Sequence, residues 1–417
     1  MRLLFVSRAY FPAVKYGGPV TSLRRMCTML ADGGHDVTVV CSDLASPGMG
    51  GDRLPAGDQA IDGVRVRILR TWARYHWEGI PAGARRVIDR EVAAADMLHV
   101  TGTRHFLGAV AEASARRLRT PYLVMPEGSI PARSRNIGLK RVVDALYTRR
   151  SLRRSERVVA TSDSEAADLL AWGVARERLL VLPPRADAID PSPRPAAELR
   201  AERGLPARDP VLLWMGRIHP EKGLPALFDA MGDPRLARAH LVMAGDAEDQ
   251  DLARKLRSRA EGAGLRGRVH FAGWVDHEAK AELFKLADLF VFPSRRENFG
   301  LAAAEAVASG LPIVVSDGCG IASLVRGRAG LVCTSNAVSI ADAVDRALSE
   351  PGLLETLRDG TDEVAKQLDW PPLVAYLEGV YREVVDETGR RTSGQGRDGM
   401  TAASGPARAG TSEGGPA

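Results

Sequence analysis

The sequence predicts an α/β protein that is built from two doubly wound parallel sheets. Short apolar runs alternate with helical segments along the 417 residues, and most of these runs are continuous. Continuous apolar runs are typical of strands in a parallel sheet, because helices cover both of its faces. A chain of this length is expected to form two domains, each with its own core. We therefore expect two Rossmann-like domains that face a central cleft, where ligands bind beyond the carboxyl ends of the strands.

The first half of the chain contains a series of candidate strands. Helical segments such as residues 21–32 and 106–118 lie between them and provide the crossovers of a parallel sheet. The candidate strands are residues 3–7, 37–41, 64–68, 97–100, 122–125, 158–161 and 179–182.

The second half repeats this rhythm from residue 211, with the apolar runs VLLWM, HLVMA, RVHFA, DLFVF, PIVVS and GLVC. Between the halves lies a proline-rich segment without a strand pattern, which predicts a hinge. After the second domain we expect a final amphipathic helix and then a Gly- and Ser-rich disordered tail. The predicted division is a first domain at 1–183, a linker at 184–210, a second domain at 211–368, the helix at 369–387 and the tail at 388–417.

Composition and charge narrow the class of protein. No run approaches the roughly 18 apolar residues of a membrane span, and the first residues resemble a strand rather than a secretory signal, so we expect a cytoplasmic protein. The four cysteines have no metal-ligand spacing and are expected to be reduced core residues. Residues 1–183 carry 28 Lys and Arg against 18 Asp and Glu, so their net charge is +10 while the whole chain has +5. This asymmetry predicts different partners for the two halves.

The stretch from Leu289 to Gly320 carries the clearest functional pattern. A buried strand ends in a polar loop that contains Glu297, and Glu305 follows eight positions later on a helix. Backbone N–H groups at the start of a helix favour an anion, and carboxylates accept hydrogen bonds from sugar hydroxyls. This combination predicts a site for a nucleotide-sugar. The residues that lead into the helix are Asn298, Phe299, Gly300 and Leu301.

A second loop supplies positive charge for the same ligand. Gly216, Arg217 and Lys222 follow the strand at 211–215 in the sequence GRIHPEKG. Arginine binds phosphate in a bidentate manner, whereas lysine acts as a point charge. We expect these two cations and the helix N-terminus, rather than a metal ion, to neutralise a diphosphate, and we predict no cofactor.

Taken together, these motifs resemble those of the retaining glycosyltransferases of family 4, which have the GT-B fold. The resemblance rests on ENFGLAAAE, which runs from Glu297 to Glu305, and on the GRxxxxKG form of the second loop, and it covers about residues 2–387. It implies that Arg217 and Lys222 hold the diphosphate of a nucleoside-diphosphate sugar. It also implies that Glu297 orients the sugar and that Glu305 binds the ribose hydroxyls.

The resemblance assigns further residues on both walls of the cleft. Gly17 and Gly18 would lie near the donor diphosphate, and His99 would contact the donor sugar from the first domain. The nucleoside would lie at Gly245, Asp246 and Val275. At two positions the chain departs from many relatives: Glu127 replaces a His or Arg, and PPRAD at 183–187 replaces an Asn-Gly-Val-Asp turn. We assign Glu127 no chemical role, although its loop is expected to meet the acceptor.

The segment from Arg133 to Arg157 is strongly basic. It contains nine Lys and Arg residues and two acids, with an apolar face at helical spacing. A solvated surface helix explains this pattern, and the alternative is a docking surface for anionic lipid or for a pyrophosphate-linked acceptor. Nucleic acid is disfavoured because the segment lacks interleaved aromatic residues for base stacking. We expect a cytoplasmic protein, and the second alternative would make it peripheral at the inner face of the membrane.

The resemblance implies the retaining transfer of a hexosyl group from a nucleoside-diphosphate sugar. The basic first domain favours, as the acceptor, a hydroxyl of a glycan or lipid-linked glycan in polysaccharide biosynthesis. Two alternatives remain open. A non-hydrolysing sugar-nucleotide epimerase would turn over the donor without an acceptor. A non-catalytic scaffold would bind the donor without transfer, although the complete set of charged residues argues against it.

Overall fold

The computed structural model describes residues 1–46, 51–75, 78–130, 137–262 and 264–398. Its first domain contains the strands and helices that the apolar runs predicted, together with a short antiparallel hairpin. The elements are β1 (Arg2–Val6), α1 (Gly18–Asp32), β2 (Asp36–Ser42), β3 (Gly57–Ile61), β4 (Val64–Leu69), β5 (Thr71–Tyr75), β6 (Glu78–Pro81), α2 (Ala84–Ala94), β7 (Met97–Thr101), α3 (Phe106–Leu118), β8 (Tyr122–Met125), α4 (Ile137–Val143), α5 (Arg149–Arg154), β9 (Arg157–Ala160), α6 (Asp163–Ala171) and β10 (Leu179–Val181).

The main sheet of the first domain has the strand order β10-β9-β8-β7-β1-β2-β4-β3. All neighbours are parallel except β3 and β4, and β5 pairs with β6 in a separate antiparallel hairpin. The order reverses beside β1, which places a ligand crevice at the carboxyl ends of β1 and β7. The sequence did not predict β3, β5 and β6. The strand β3 contains Asp58 and Gln59, and its residues are exposed or only half-buried, so it lacks the continuous apolar run of a buried strand.

The second domain repeats the same architecture with a parallel sheet of its own. Its elements are α7 (Ala196–Glu202), β11 (Val211–Met215), α8 (Leu224–Ala230), β12 (His240–Ala244), α9 (Gln250–Ala260), β13 (Val269–Gly273), α10 (His277–Leu286), β14 (Leu289–Phe292), α11 (Leu301–Ala308), β15 (Ile313–Ser316), α12 (Ala322–Val325), β16 (Gly330–Cys333), α13 (Ala337–Ser349), α14 (Leu353–Gln367) and α15 (Trp370–Asp398). The prediction of two Rossmann-like α/β domains is confirmed.

The second sheet has the strand order β13-β12-β11-β14-β15-β16, and all neighbours in it are parallel. Its order reverses between β11 and β14. The loop that follows β11 carries Arg217 and Lys222, and the loop that follows β14 carries Glu297. The two motifs that the sequence singled out therefore meet at the switch point, where open α/β sheets bind ligands.

The last helix, α15, returns from the second domain to cover the first. Tyr381, Leu377 and Val384 are buried in one cluster with Phe5 of β1. The Tyr381 hydroxyl also lies 2.7 Å from Nδ1 of His99. The helix continues to Asp398, beyond the position at which the sequence predicted a disordered tail, and the later part of that prediction lies outside the described residues.

Two compositional expectations can be compared with the coordinates. The four cysteines are buried and free, as predicted, and burial raises the pKa of the Cys41 thiol to about 12. Within the described ranges, no helix combines the length and the apolar character that crossing a membrane requires.

Candidate functional site

The loop between β14 and α11 is held firmly by the loop that follows β15. The Glu297 amide donates to the Gly318 carbonyl at 2.9 Å, and the Gly320 amide donates to the Glu297 carbonyl at 3.1 Å. A Cβ on Gly320 would lie 2.1 Å from the Asn298 carbonyl oxygen, so only glycine permits this approach. Gly300, with φ +102°, caps α11 and turns the chain into the helix. The first amide groups of α11 are thereby presented at a rigid loop, in the arrangement that favours an anion.

Lys222 and Glu297 form an ion pair that joins the two loops at the switch point. Lys222 ends a 3-10 turn after β11, and its ammonium donates to Oε2 of Glu297. Their side chains are only 15% and 21% exposed, and the ammonium lies 5.1 Å from the centre of the Phe292 ring. Partial exclusion of water strengthens electrostatic interactions, so this pair provides a strong local field at the entrance of the cleft.

Arg217 lies in the loop that follows β11, the same loop that carries Lys222. Its Nη1 donates to Oε2 of Glu248 at 2.5 Å, and Glu248 belongs to the loop that follows β12. The Arg217 side chain is 41% exposed, so its guanidinium is accessible to a ligand in the cleft. Sequence reasoning did not identify Glu248, because no motif links it to a residue 31 positions earlier. Among the described residues, no group of three His, Cys, Asp or Glu side chains has the arrangement of a metal site.

Glu305 is paired with a lysine that the sequence did not single out. Nζ of Lys280, on α10, lies 2.7 Å from Oε2 of Glu305, on α11. Both side chains are half-buried. Within the described residues, Oε1 of Glu305 has no hydrogen-bond donor and is free to accept one from a hydroxyl group. Lys280 holds the carboxylate in place, which is the arrangement that recognition of a ribose would require.

The loops predicted to hold the nucleoside lie side by side at the same edge of the sheet. The Gly245 amide donates to the Gly273 carbonyl at 2.6 Å, and a Cβ on Gly245 would lie 1.9 Å from the Gly216 carbonyl oxygen. Asp246 accepts a hydrogen bond from the Ile218 amide through its carbonyl, which leaves its side chain exposed. Val275 is half-buried against the core of the second domain. This edge therefore offers mainly backbone groups to a ligand.

The glycine loop of the first domain reaches the start of α11. Gly17 has φ +88° and caps α1, and Gly18 is the first residue of that helix. A Cβ on Gly18 would lie 2.3 Å from Cδ1 of Leu301. The structure thus brings Gly18 against Leu301, the first residue of α11, whereas a Cβ on Gly17 would meet no atom within 4 Å.

The side chains of Asn298 and Phe299 contact other parts of the protein. The amide of Asn298 donates to Oγ1 of Thr161 and, at 3.4 Å, to Oε2 of Glu165 in the first domain. The Phe299 ring is buried in the core of the second domain. Asn298 therefore links the two domains in this structure, and the predicted donor contacts of these two residues would involve their backbone groups.

The prediction that His99 faces the cleft is wrong. His99 lies in the middle of β7, is 2% exposed, and packs 5.0 Å from the Phe5 ring on the face that α15 covers. Successive side chains of a strand alternate between its faces, and this one points into the core instead of towards the strand end. Burial lowers the pKa of His99 to about 3, so the ring is neutral at physiological pH.

The first-domain wall contains charged residues that the sequence did not mark as functional. Nε of Arg8, just after β1, donates to Oε2 of Glu78 at 3.1 Å, while the Phe106 amide donates to Oε1 of Glu78 at 2.6 Å. Burial raises the pKa of Glu78. No local sequence motif predicts this cluster, because Arg8, Glu78 and Phe106 come from separate segments that the sheet brings together.

A cavity of about 530 Å³ lies between the domains beside the linker. Its wall includes Ser162 of the first domain, Phe299 of the second domain and Lys366 of α14. The altered PPRAD turn contributes Arg185 to this wall. The PPRAD turn therefore lines the space beside the hinge through Pro183 and Arg185.

Comparison with known families matches both halves of the chain. Residues 17–185 match the model of the glycosyl transferase 4-like domain. Residues 196–364 match the model of the glycosyl transferases group 1. The two matches together span most of the described chain and meet at the linker.

Three curated relatives show how the sequence identity and the matched share of the chain vary. The D-inositol 3-phosphate glycosyltransferase of Xylanimonas cellulosilytica is 30% identical over 276 residues, which is 64% of each chain. The chain thus spans just under two thirds of that relative's length, and it spans 49% of the relative of the same name from Nocardia farcinica. Glycogen synthase of Mycobacterium tuberculosis is 28% identical over 410 residues, which is 91% of this chain and 94% of the relative.

Solved structures show the same architecture over the whole folded length. HepE of Anabaena, determined in complex with UDP, superposes with a TM-score of 0.73 at 19% identity, over 92% of this chain and all of that one. At this level of identity the similarity establishes the fold alone, which is GT-B.

Proposed function

Because the chain belongs to the group 1 glycosyl transferases with a glycosyl transferase 4-like first domain, we propose that it transfers a hexosyl group from a nucleoside-diphosphate sugar, with retention of the anomeric configuration. The acceptor is a hydroxyl of a glycan or lipid-linked glycan in polysaccharide biosynthesis. The observation that carries this proposal is the Lys222–Glu297 pair, which joins the loop after β11 to the loop before α11 at the switch point.

The proposed chemistry uses these groups to stabilise the leaving diphosphate. Arg217, Lys222 and the first amides of α11 neutralise the charge that develops as the sugar–phosphate bond breaks, and they do so without a metal ion. Glu297 orients the sugar, while Glu305, held by Lys280, accepts hydrogen bonds from the ribose. On the retaining route, the acceptor attacks on the face that the diphosphate leaves, and a phosphate oxygen takes the proton of the acceptor hydroxyl.

Calorimetric titration of UDP, GDP and ADP, without added metal, tests the donor site. The wild-type protein is expected to bind one of them with micromolar affinity, and UDP is the first choice because the similar HepE was solved with UDP. Arg217→Ala is expected to weaken this binding and to lower kcat by roughly 10²-fold, on the scale of losing one preorganised donor. Arg238→Ala, which changes an arginine that pairs with Asp209, is the matched control.

Three outcomes of the titration and of the accompanying turnover measurements would count against the proposal. Binding of no nucleotide would favour the non-catalytic scaffold. Turnover of the donor without any acceptor would favour the epimerase. Unchanged turnover in Arg217→Ala would contradict the proposed role of this arginine.

A second part of the proposal concerns where the acceptor resides. Within the described part of the basic segment, Val142 and Leu146 are 54% and 74% exposed at helical spacing, and Arg141, Arg149 and Arg150 are exposed beside them. Exposed aliphatic side chains flanked by cations complement an anionic lipid surface. We propose that the protein works at the cytoplasmic face of a membrane and takes a lipid-linked acceptor there.

A buried ion pair supports this orientation. Arg104, in the loop after β7, donates to both carboxylate oxygens of Asp144 at 2.6 and 2.9 Å. Asp144 begins the π-helical turn, Asp144–Thr148, that connects α4 and α5. The basic segment is thereby anchored to the carboxyl edge of the first sheet, so a lipid surface that docks on it would lie near the cleft.

Sedimentation with vesicles tests the membrane proposal. The wild-type protein is expected to bind vesicles that contain phosphatidylglycerol and to remain free with phosphatidylcholine alone. The double variant Val142→Ser/Leu146→Ser should bind at least roughly tenfold more weakly, because each buried aliphatic side chain contributes about 1.5–3 kcal/mol. Val338→Ser, at an exposed valine of the second domain, is the control. Equal sedimentation of the double variant and the wild type would contradict the assignment.

A further inference from the structure

Glu127 has an unusual backbone conformation at the carboxyl edge of the first sheet. It follows β8 and has φ +54°, in the left-handed region that glycine or asparagine normally occupies. A glutamate in this conformation is strained. Such strain persists where the surrounding structure maintains it, and it is concentrated at functional sites. The next residue, Gly128, also has a positive φ, so the turn itself would suit two glycines.

The Glu127 carboxyl has no hydrogen-bond or ion-pair partner among the residues that the structure describes, although the residue is only partly exposed. Its neighbour Glu165 is the opposite case, since its carboxylate accepts hydrogen bonds from the amides of Gly128 and Thr161 and from the Thr161 hydroxyl. Glu165 therefore supports the turn, and Glu127 is left available.

The position of Glu127 is on the first-domain wall, next to the donor loop of the second domain. A Cβ on the adjacent Gly128 would lie 2.8 Å from Cβ of Asn298. On its other side, a Cβ on Gly102, at the end of β7, would lie 4.0 Å from Oε2 of Glu127. The free carboxyl thus lies between the strand ends of the first domain and the loop that carries Glu297.

We propose that Glu127 binds a hydroxyl of the acceptor and selects an uncharged, hydroxylated acceptor group over a phosphorylated one. This inference rests on the proposed function. A carboxyl group can accept a hydrogen bond from a hydroxyl, whereas two neighbouring carboxyl groups, Glu127 and Glu165, would repel an anionic substituent.

The electrostatic surroundings of Glu127 are consistent with this role. Burial, together with the negative charge of Glu165, raises the pKa of Glu127 to about 7, while Arg8 opposes the shift. His105 also packs against Gly102, but burial lowers its pKa to about 3, so it is neutral. A carboxyl that titrates near neutrality gives acceptor use a pH dependence, since only the ionised form is an acceptor of hydrogen bonds through both of its oxygens.

Acceptor kinetics with Glu127→Gln test the inference. The donor is the hexose conjugate of the nucleotide that binds in calorimetry, and the acceptors are octyl glucoside, octyl mannoside, glucose 6-phosphate and inositol 1-phosphate. The wild type is expected to prefer the octyl glycosides. Glu127→Gln should raise the KM for them at least roughly tenfold, on the scale of one hydrogen bond to a charged group, and should flatten the dependence of kcat/KM on pH near 7. Nucleotide affinity should stay unchanged.

Stability and control variants separate this role from a structural one. Glu127→Gly should raise Tm, because it removes the strain of the positive φ, and should still impair acceptor use. Glu177→Gln, at an exposed glutamate of the same domain, should change neither property. The inference would be overturned if Glu127→Gln had the same acceptor KM and pH dependence as the wild type, or if the wild type preferred the phosphorylated acceptors. In either case, nucleotide binding and transfer by the wild type would still support the proposed function. Absence of nucleotide binding by the wild type would instead remove the proposed function itself.

Discussion

Replacing Lys222 by methionine is expected to lower kcat by roughly 10²- to 10³-fold, the range for loss of one preorganised electrostatic contact in an active site. The ammonium is largely shielded from water between Glu297 and the Phe292 ring, so its interaction with a leaving diphosphate is only weakly screened. The substitution also leaves the Glu297 carboxylate without its cation, which would repel the donor phosphates. Single-turnover rates measured with saturating donor would report the loss.

The matched control for this prediction is Lys255→Met. Lys255 is an exposed lysine on α9 in the same domain, so its loss should leave kcat unchanged. The double variant Lys222→Met/Glu297→Gln adds a test of the ion pair, because residues in direct contact show non-additive effects. A kcat within threefold of wild type in Lys222→Met would remove this lysine from the mechanism.

Replacing Gly223 by alanine is expected to destabilise the second domain by about 2–4 kcal/mol, combining a strained backbone with a steric clash. Gly223 has φ +70°, and a Cβ there would lie 1.9 Å from the carbonyl oxygen of Pro293 at the end of β14. The turn that carries Lys222 and the loop that leads to Glu297 could not then keep their present distance. We expect a lower Tm together with weaker nucleotide binding, measured by thermal unfolding and calorimetry.

Gly352→Ala separates the two causes of this effect. Gly352 has a similar φ of +74°, but a Cβ on it would meet no atom within 4 Å. Its replacement should therefore cost only about 1 kcal/mol, the usual penalty of a left-handed conformation. If Gly223→Ala were no more destabilising than Gly352→Ala, the close contact with Pro293 would have no energetic importance.

Several of the strands that the sequence predicted correctly are buried on both faces. In runs such as VLLWM and LFVF every residue is therefore apolar, and the pattern is visible locally. The strands β3, β5 and β6 lack this property because they lie at an edge or in a hairpin. The pairing of β3 depends on β4, whose alternating sequence VRVRIL does not by itself indicate an antiparallel partner.

The candidate site divides in the same way. Arg217, Lys222, Glu297 and the glycines of their loops lie in contiguous strand–loop–helix segments, whose geometry follows from local composition. Lys280 and Glu248 were missed because each acts through a partner on another element. The sequence predicted that His99 faces the cleft because it lies in a buried strand near its carboxyl end. Whether its side chain reaches the cleft depends on which helix covers that face of the sheet, and here α15 covers it.

The sequence by itself determined the two parallel sheets, the order of their elements and the loops that carry the donor-side charges. The tertiary structure alone decided that Lys222 pairs with Glu297 across 75 positions, that Tyr381 contacts His99 across 282 positions, and that no hydrogen bond or ion pair from the described residues reaches Glu127. The reason is physical. Periodicity and turn chemistry act between neighbouring residues, whereas burial, ion pairing and the pKa of a side chain depend on elements that meet only when the sheets and α15 have packed.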